Sequence, residues 1–549
     1  MFEQLDGKLY KQLINYGIRN LKIHEELVNN LNVFPVPDGD TGTNMTMTLT
    51  NGFKAIRDAE GELSELAAKF AQGVAFGARG NSGVISSQFF KGFSETFTNT
   101  RVADVEMFIS ALNRGVSEAY KSVTRPTEGT ILTLVREATE HVNSLHQQEK
   151  LASVSAVIDA FLDRASVSLE NTPELLPVLK NAGVVDSGGA GILYFFKGMK
   201  KYMTNENLEE MEELSPVGKE STDIDYSVFD KNSKFDYGYC TELVLQLLES
   251  KETFDYEIFK GTLEDVGDSV ATVYANDKVK IHIHTACPEN VLKYCHQFGE
   301  FLTLKIENMS VQHEAIKQEE SASTEEEHRF FAVVATASDK LLEQNFKEMG
   351  VTVTIPGGQS CNPSVQEFVS AFEKANADHI IVFPNNKNVI LTANQAKKLY
   401  DKSNIIVINS KSMAECYSAL GLIDFDSKDI ESVVETIEES IRNIEIVSVT
   451  KAVRNAKYDN LKITVEDFVA IDDSEILGLG KSVTEVVFPI IDQCLTRQNK
   501  DVVTLFAGKG MSDEELEELT NYINDKYLYT DCGVVKTDNE IYYLTLAFE

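Results

Sequence analysis

The chain carries an Asp-Gly-Asp motif, formed by Asp38, Gly39 and Asp40, in a loop rich in proline and glycine. In a turn, two carboxylates at this spacing direct hard oxygen donors towards one point, an arrangement that suits Mg²⁺. The other interpretation is a plain turn in which Asp38 or Thr41 caps the helix that follows. The motif alone does not decide between a magnesium site and a capped turn.

Three more glycine-rich loops follow, at residues 77–83, 125–133 and 181–191, and each leads into a segment of helical period. The first loop is itself followed by a predicted helix over residues 43–56, whose first amides would point towards the carboxylates and could bind an anion. Small residues in the second loop would let backbone amides approach a phosphate closely. Each loop taken singly could equally be a simple helix connector.

Together the four loops, DGDTGTNM, GARGNSGV, the Gly-Thr turn and GVVDSGGAG, resemble the nucleotide-binding subunits of dihydroxyacetone kinases. The longer form NVFPVPDGDTGTNM and the layout of the whole chain resemble the catalytic subunits of fatty acid kinases more closely. The resemblance implies an all-α barrel of antiparallel helices with ATP and Mg²⁺ at one end. Glycine loops of this kind in Rossmann or P-loop folds would need preceding strands, and none is predicted here.

The resemblance also assigns roles to individual residues. It implies that Asp38 and Asp40 hold Mg²⁺ and that both act in catalysis with Thr43. It implies an ATP site formed by Thr41, Asn44, Asn81, Ser82, Gly83, Gly129, Thr130, Asp186, Ser187 and Gly188. The third aspartate of the family's metal site is replaced here by Val33, and Asn32 is the neighbouring candidate for an oxygen ligand.

By resemblance, the reaction is phosphorylation of a fatty acid carboxylate, presented by a separate fatty-acid-binding protein of the FakB type, to give an acyl phosphate for phospholipid synthesis. We also expect a homodimer, formed through the middle module. Two alternatives remain open at this point. One is a dihydroxyacetone-type kinase that acts on a small polyol, and the other is a nucleotide-binding regulator without turnover.

Composition narrows the class of protein. The chain has 549 residues and a net charge of −35, which argues against nucleic acid or an anionic membrane as a direct partner. A stretch of about twenty apolar residues is lacking, so no membrane span is expected. The first residues lack the features of a signal peptide, and seven scattered cysteines suit the reducing cytoplasm.

The pattern along the chain predicts a multidomain protein. We expect an N-terminal all-α helical barrel, a small α+β middle module and a C-terminal α/β domain, the last because strands and helices alternate there. Stretches rich in glutamate, serine and other polar residues mark linkers between them. The predicted boundaries are 1–204 for the kinase domain, 205–226 for a linker, 227–316 for the middle domain, 317–328 for a second linker and 329–549 for a partner-binding domain.

A second set of chemically capable residues lies in the middle module. His282 and His284 are two apart on a predicted strand, and a strand with Cys240 could lie alongside. Two imidazoles and a thiolate suit Zn²⁺. The alternative is a pair of solvent-facing histidines and a buried core cysteine.

Two further features are weaker. Arg79 lies in the second glycine loop, where it could meet a phosphate, although pairing with a surface acid is the preferred interpretation. The loop of residues 357–364 follows a predicted strand, where α/β folds place ligand-binding loops, and we expect it to contact a partner or ligand.

Overall fold

The computed structural model describes fourteen stretches of the chain: residues 2–32, 39–205, 239–248, 254–264, 266, 268–275, 277–285, 287–308, 328–358, 362–452, 455–458, 461–472, 475–497 and 500–549. By contact the chain forms two compact units. One comprises Met1–Met211 together with His328–Glu549, and the other comprises Glu212–Glu327. No helix in the described part of the chain combines the length and the apolar character that a membrane crossing requires.

The N-terminal region is helical, as the sequence predicts. Its helices are α1 Gly7–Ile23, α2 Glu25–Leu31, α3 Thr41–Lys54, α4 Leu63–Gly77, α5 Gly80–Glu95, α6 Val105–Lys121, α7 Ile131–Glu149, α8 Val154–Leu175, α9 Pro177–Ala182 and α10 Ser187–Met203. A two-residue antiparallel pair, β1 Leu5–Asp6 with β2 Val102–Ala103, fastens the start of the chain to the segment before α6.

Aromatic side chains from α5 and α10 fill the centre of the helical region. Phe90 meets Phe195 edge-on with ring centroids 4.8 Å apart, and Phe161 of α8 stacks on Phe196 at 4.2 Å. All four rings are buried. Offset and edge-on ring pairs add to the free energy gained from burial, so this cluster fixes α10 against its neighbours.

The described residues of the C-terminal region form two larger sheets and a two-stranded hairpin. The first is a parallel sheet of β7 Arg329–Ala337, β8 Val353–Pro356, β9 Ala377–Phe383 and β10 Asn404–Val407, in the order β10-β9-β7-β8. The helices interleaved with these strands and following them are α13 Lys340–Glu348, α14 Val365–Ala375, α15 Ile390–Leu399, α16 Met413–Leu420 and α17 Ile430–Asn443. Strands that are covered on both faces must be nearly all apolar, which explains the continuous apolar runs in β7 and β9.

Alternate residues of β7 enter two separate cores. Phe331 and Val333 face α13, α16 and α17, whereas Ala332 and Val334 face α14 and α15. The core around Ala332 and Val334 also contains Ala78 of the helical region. The helical and C-terminal regions therefore share one apolar core.

The second C-terminal sheet has six strands in the order β15-β14-β11-β18-β16-β17, antiparallel except between β16 and β17. Its strands are β11 Glu445–Lys451, β14 Phe468–Asp472, β15 Glu475–Gly480, β16 Val502–Ala507, β17 Asp531–Lys536 and β18 Tyr542–Phe548. Between β11 and β14 the chain forms a hairpin of β12 Ala456–Tyr458 and β13 Leu461–Ile463. The helices of this part of the chain are α18 Val483–Arg497 and α19 Asp513–Lys526.

The middle unit is an antiparallel sheet in the order β4-β5-β3-β6. Its elements are β3 Tyr239–Leu247, α11 Tyr256–Glu264, β4 Asp268–Ala275, β5 Lys278–Thr285, α12 Pro288–Cys295 and β6 Gly299–Asn308. Phe259 of α11 and Val291 of α12 share a core with Ile281 and Ile283 of β5. This α+β module agrees with the fold class predicted for the middle of the chain.

The close approach of α1 and α10 gives a test of the fold. A Cβ atom at Gly198 would overlap the backbone oxygen of Tyr16 and lie 2.8 Å from the Cα of Gly17. We expect Gly198→Ala to lower the free energy of unfolding by about 2 kcal/mol, because backbone atoms must move apart to admit the methyl group.

The measurement is chemical unfolding of the full chain, with Gly421→Ala as the matched control. A Cβ atom at Gly421 would meet the Ser418 oxygen at an ordinary 3.5 Å. Equal stability of the two variants would contradict the proposed packing of α1 on α10.

Candidate functional site

The N-terminal ends of α3, α5, α7 and α10 meet in the helical region, although the chain reaches them from four separate loops. Ser187 at the start of α10 donates a hydrogen bond to Thr41 at the start of α3, with 3.2 Å between the hydroxyl oxygens. A Cβ atom at Gly188 would lie 3.6 Å from the Ser82 hydroxyl of α5 and 3.3 Å from Ile131 at the start of α7. The positive ends of these helix dipoles therefore meet in one region, which favours a bound anion.

Asp40 occupies the N-cap position of α3, but its side chain does not cap the helix. As the N-cap residue it makes no side-chain hydrogen bond to the helix backbone. The carboxylate instead accepts hydrogen bonds from the amides of Asn44 and Asn362. Its side chain is buried, and this burial raises the pKa of Asp40 to about 6. A buried carboxylate that does not serve its own helix remains available to a ligand.

The other residues of the first loop divide between two environments. Thr41 accepts a hydrogen bond from the Asn32 amide at 3.1 Å, so these two candidates lie together with Ser187. Thr43, which was predicted to be catalytic, makes its hydrogen bonds to Asn29 of α2. Its backbone amide donates to Asn29 Oδ1 at 3.1 Å, and its hydroxyl accepts from the Asn29 amide at 3.0 Å. Asp38 and Val33 lie outside the described residues.

Asp186 joins α10 to α7. Its carboxylate caps α10 by accepting a hydrogen bond from the Gly189 amide at 2.6 Å, and it also accepts one from the Ile131 amide at the start of α7. Removal from bulk water raises the pKa of Asp186 to about 6. The residue thus has a structural role at the site, which the sequence pattern did not reveal.

Gly129 and Thr130 form the turn before α7. Gly129 adopts φ +83°, and a Cβ atom there would lie about 3 Å from Leu175 and Leu176, so the turn requires glycine. Thr130 caps α7 by accepting from the Leu132 amide at 3.4 Å. No hydrogen bond between these two residues and Asp40 occurs among the described residues, and their predicted contact with a nucleotide stays a prediction.

Residues 81–83 begin α5 against α3. A Cβ atom at Gly83 would lie 2.6 Å from the Thr48 hydroxyl, so the glycine permits the close approach of the two helices. Asn81 donates a hydrogen bond to Asn388 of the C-terminal region at 3.1 Å. The candidate phosphate loop is therefore also a contact between the helical and C-terminal regions.

Arg79 forms an ion pair with an acidic residue, which agrees with the interpretation preferred from the sequence. That acid is Glu367 of the C-terminal region, at 3.1 Å, and Arg79 also donates to the backbone oxygen of Asn362 at 2.9 Å. Asn362 was not predicted as a site residue. The only signal for it was its position in the loop of residues 357–364, which follows β8.

A crevice of about 430 Å³ opens at the carboxyl ends of β7 and β9. The helices that follow these two strands, α13 and α15, lie on opposite faces of the sheet. Ser338, Gly357, Gly358, Asn385 and Asn386 are among the residues that line the crevice. Gly357 and Gly358, the first residues of the predicted ligand loop, thus lie at the switch point of the parallel sheet, where such folds place ligands.

The zinc prediction finds no support. The strand register pairs Cys240 with His284 and Glu242 with His282. The side chains of Cys240, His282 and His284 lie outside the described part of the chain. Among the side chains that are described, no group of three histidine, cysteine or acidic residues could hold a metal ion.

The raised pKa of Asp186 gives a pH-dependent test. In the folded chain the pKa is about 6 against an ordinary value of 3.8, so ionisation destabilises the fold as the pH rises through this window and has no effect below it. We expect Asp186→Asn to gain about 1 to 2 kcal/mol relative to the wild-type chain between pH 4.5 and pH 7.5, since asparagine also caps helices.

Thermal unfolding without nucleotide, at both pH values, measures this difference. The exposed Asp58→Asn variant serves as the control, because Asp58 pairs with Arg57 at the surface. The same stability difference at both pH values would contradict the assigned environment of Asp186.

Family models match the chain in three successive segments. The DAK2 domain matches residues 35–201, the middle domain of FakA-like fatty acid kinase proteins matches residues 236–316, and their C-terminal domain matches residues 332–549. Protein YloV of Bacillus subtilis is 34% identical over 532 residues, which cover 95% of each chain. An uncharacterized protein of Staphylococcus saprophyticus is 35% identical over 536 residues, or 96% of each chain.

Similarity to solved structures is much weaker. A DegV family protein of Thermus thermophilus, described as binding fatty acid, is 12% identical with a TM-score of 0.31, covering 40% of this chain and 99% of that protein. Similarity at this level supports no conclusion about fold or ligand. The family models and the full-length relatives confirm the resemblance seen in the sequence: the chain belongs to the FakA-like family of fatty acid kinase proteins.

Proposed function

We propose that this chain transfers the γ-phosphoryl group of ATP to the carboxylate of a fatty acid presented by a separate fatty-acid-binding protein. The products are an acyl phosphate and ADP. The observation that carries the proposal is the meeting of helix N-termini beside the buried carboxylate of Asp40. Membership of a fatty acid kinase family supports the choice of acceptor and of a carrier protein as partner.

The electrostatics explain why helix ends suit this chain. A net charge of −35 repels a nucleotide at long range, so phosphate has to be attracted locally. The dipoles at the N-terminal ends of α3, α5 and α10 supply fixed positive partial charge without adding a cation. Such preorganised donors also stabilise charge that spreads over the transferred phosphoryl group.

The residues near Asp40 fit a magnesium–nucleotide complex. Asp40 offers a buried carboxylate, and Thr41 and Asn44 offer neutral oxygens at the same helix end. Asp38, two residues earlier, is proposed as the second carboxylate on the basis of the family motif. Mg²⁺, when bound, neutralises charge on the nucleotide phosphates.

The acceptor requires little from the protein. A carboxylate is already ionised near pH 7, so its oxygen can attack without a general base. The protein then has to hold the two reactants in line and exclude water from the phosphoryl group. This agrees with a site built from amides, hydroxyls and carboxylates, without a histidine among the proposed residues.

Replacement of Asp40 tests the metal assignment. We expect Asp40→Asn to lower acyl phosphate formation at least about 100-fold, because the variant keeps the size of the side chain but loses the negative charge that attracts Mg²⁺. The measurement is ADP release with MgATP and a carrier protein loaded with oleate. Asp58→Asn is the exposed control and should retain full turnover. Wild-type turnover in Asp40→Asn would refute the assignment.

The acceptor has its own test. We expect ATP consumption with the oleate-loaded carrier and none above background with dihydroxyacetone alone, because this chain is proposed to take its acceptor from a carrier. Phosphorylation of the free ketone would identify a small-molecule kinase instead. Nucleotide binding without turnover on either acceptor would identify a regulator.

A further inference from the structure

Asn362 brings a C-terminal side chain to the carboxylate of the kinase site. It lies between β8 and α14, and its amide nitrogen donates to Asp40 Oδ2 at 2.5 Å. The two residues are 2% and 4% exposed, so the contact is closed to bulk water. The amide oxygen of Asn362 is also enclosed and has no hydrogen-bond partner among the described residues. Buried polar atoms are nearly always paired, so this oxygen indicates a partner that is still to bind.

The position of Asn362 is fixed by the backbone on both sides of the contact. Ser364 forms an antiparallel bridge with Arg79, and the Val365 amide donates to the Ala78 oxygen at 3.1 Å. Arg79 reinforces the bridge, because it holds the backbone oxygen of Asn362 at 2.9 Å. Asn362 is therefore held against the second glycine loop through its own backbone oxygen and the backbone of Ser364 and Val365, independently of its side chain.

An apolar layer lies under the same contact. Ala78 and Val84 are buried in one core with Val365 and Phe368 of α14. Moving the C-terminal region away would expose these side chains to water, which opposes separation. The contact is thus a stable part of the structure, and Asn362 remains at Asp40 while the core is intact.

The chemistry of an asparagine at this place suits a metal ion. An amide oxygen is a neutral hard donor of the kind that Mg²⁺ accepts beside one or two carboxylates. The Asn362 amide and the Asp40 carboxylate are in direct contact at 2.5 Å, so both side chains can reach one ion. Rotation of the amide group by half a turn exchanges its nitrogen and oxygen without moving the backbone.

We propose that Asn362 is a magnesium–nucleotide binding residue contributed by the C-terminal region, with its amide oxygen turned to the ion beside Asp40. The inference rests on the proposed function, because it assumes a magnesium–nucleotide complex at Asp40. It makes the kinase site a composite of the helical and C-terminal regions. The opposite interpretation, in which Asn362 merely blocks Asp40 and must leave, predicts tighter nucleotide binding when the amide is removed.

The test is calorimetric binding of ADP to the full chain with and without Mg²⁺. We expect Asn362→Ala to weaken MgADP binding about 10-fold or more, the usual effect of losing a metal-site contact, and to leave metal-free ADP binding unchanged within about twofold. Asn362→Asp should restore the magnesium dependence, because it keeps an oxygen at the same place. Thermal unfolding of each variant shows whether the chain remains folded.

Asn404→Ala is the matched control, since the Asn404 amide contacts His379 within the C-terminal region. It should bind MgADP as the wild-type chain does. Wild-type or tighter MgADP binding by Asn362→Ala, with binding still lost in Asp40→Asn, would overturn this inference and leave the proposed function standing. MgADP binding that is insensitive to Asp40→Asn would overturn both.

Discussion

Burial of the Asp40 carboxylate is the constraint on which the surrounding structure depends. A buried charge has to be met by hydrogen-bond donors, and here the amides of Asn44 and Asn362 meet it from different regions. Those donors need room. Gly80, at φ +58°, provides this space. A Cβ atom at its position would lie 2.8 Å from the Asn44 amide nitrogen and 3.0 Å from that of Asn362. The glycine of the second loop thus serves the carboxylate of the first.

The site relies on the geometry of helix ends rather than on basic side chains to favour an anion. Arg79 is the basic residue nearest the phosphate loop in sequence, and it is engaged by Glu367 and the Asn362 backbone. The favourable partial charges for an anion are those of helix ends, which four separate loops bring together. Such dipoles keep their direction when the pH changes, whereas Asp40 and Asp186, each with a pKa near 6, respond to it.

Sequence patterns predicted the features that depend on residues near one another in the chain. Glycine spacing, helical period and apolar runs predicted the helical region, the parallel sheet and the loops that meet at the site. They could not predict Asn362 at Asp40, because a pair 322 positions apart leaves no periodic trace. Thr43 shows a finer limit, since a short step along α3 turns its side chain to Asn29 while Thr41 faces Ser187. In the second sheet, the edge strands β15 and β17 contain glycine and charged residues, which edge strands tolerate because only one side pairs.

The shared core of Ala78 and the C-terminal helix α14 has a consequence for how the protein is made. Asn362 follows Arg79 by 283 positions, so the ribosome needs about 15 to 60 s to synthesise the partner after the glycine loop has emerged. During that interval the nascent helical region displays an uncovered apolar face around Ala78 and Val84. The candidate site is consequently complete only after residue 362 has been synthesised, and a chain truncated before that residue would leave this face as a target for chaperones.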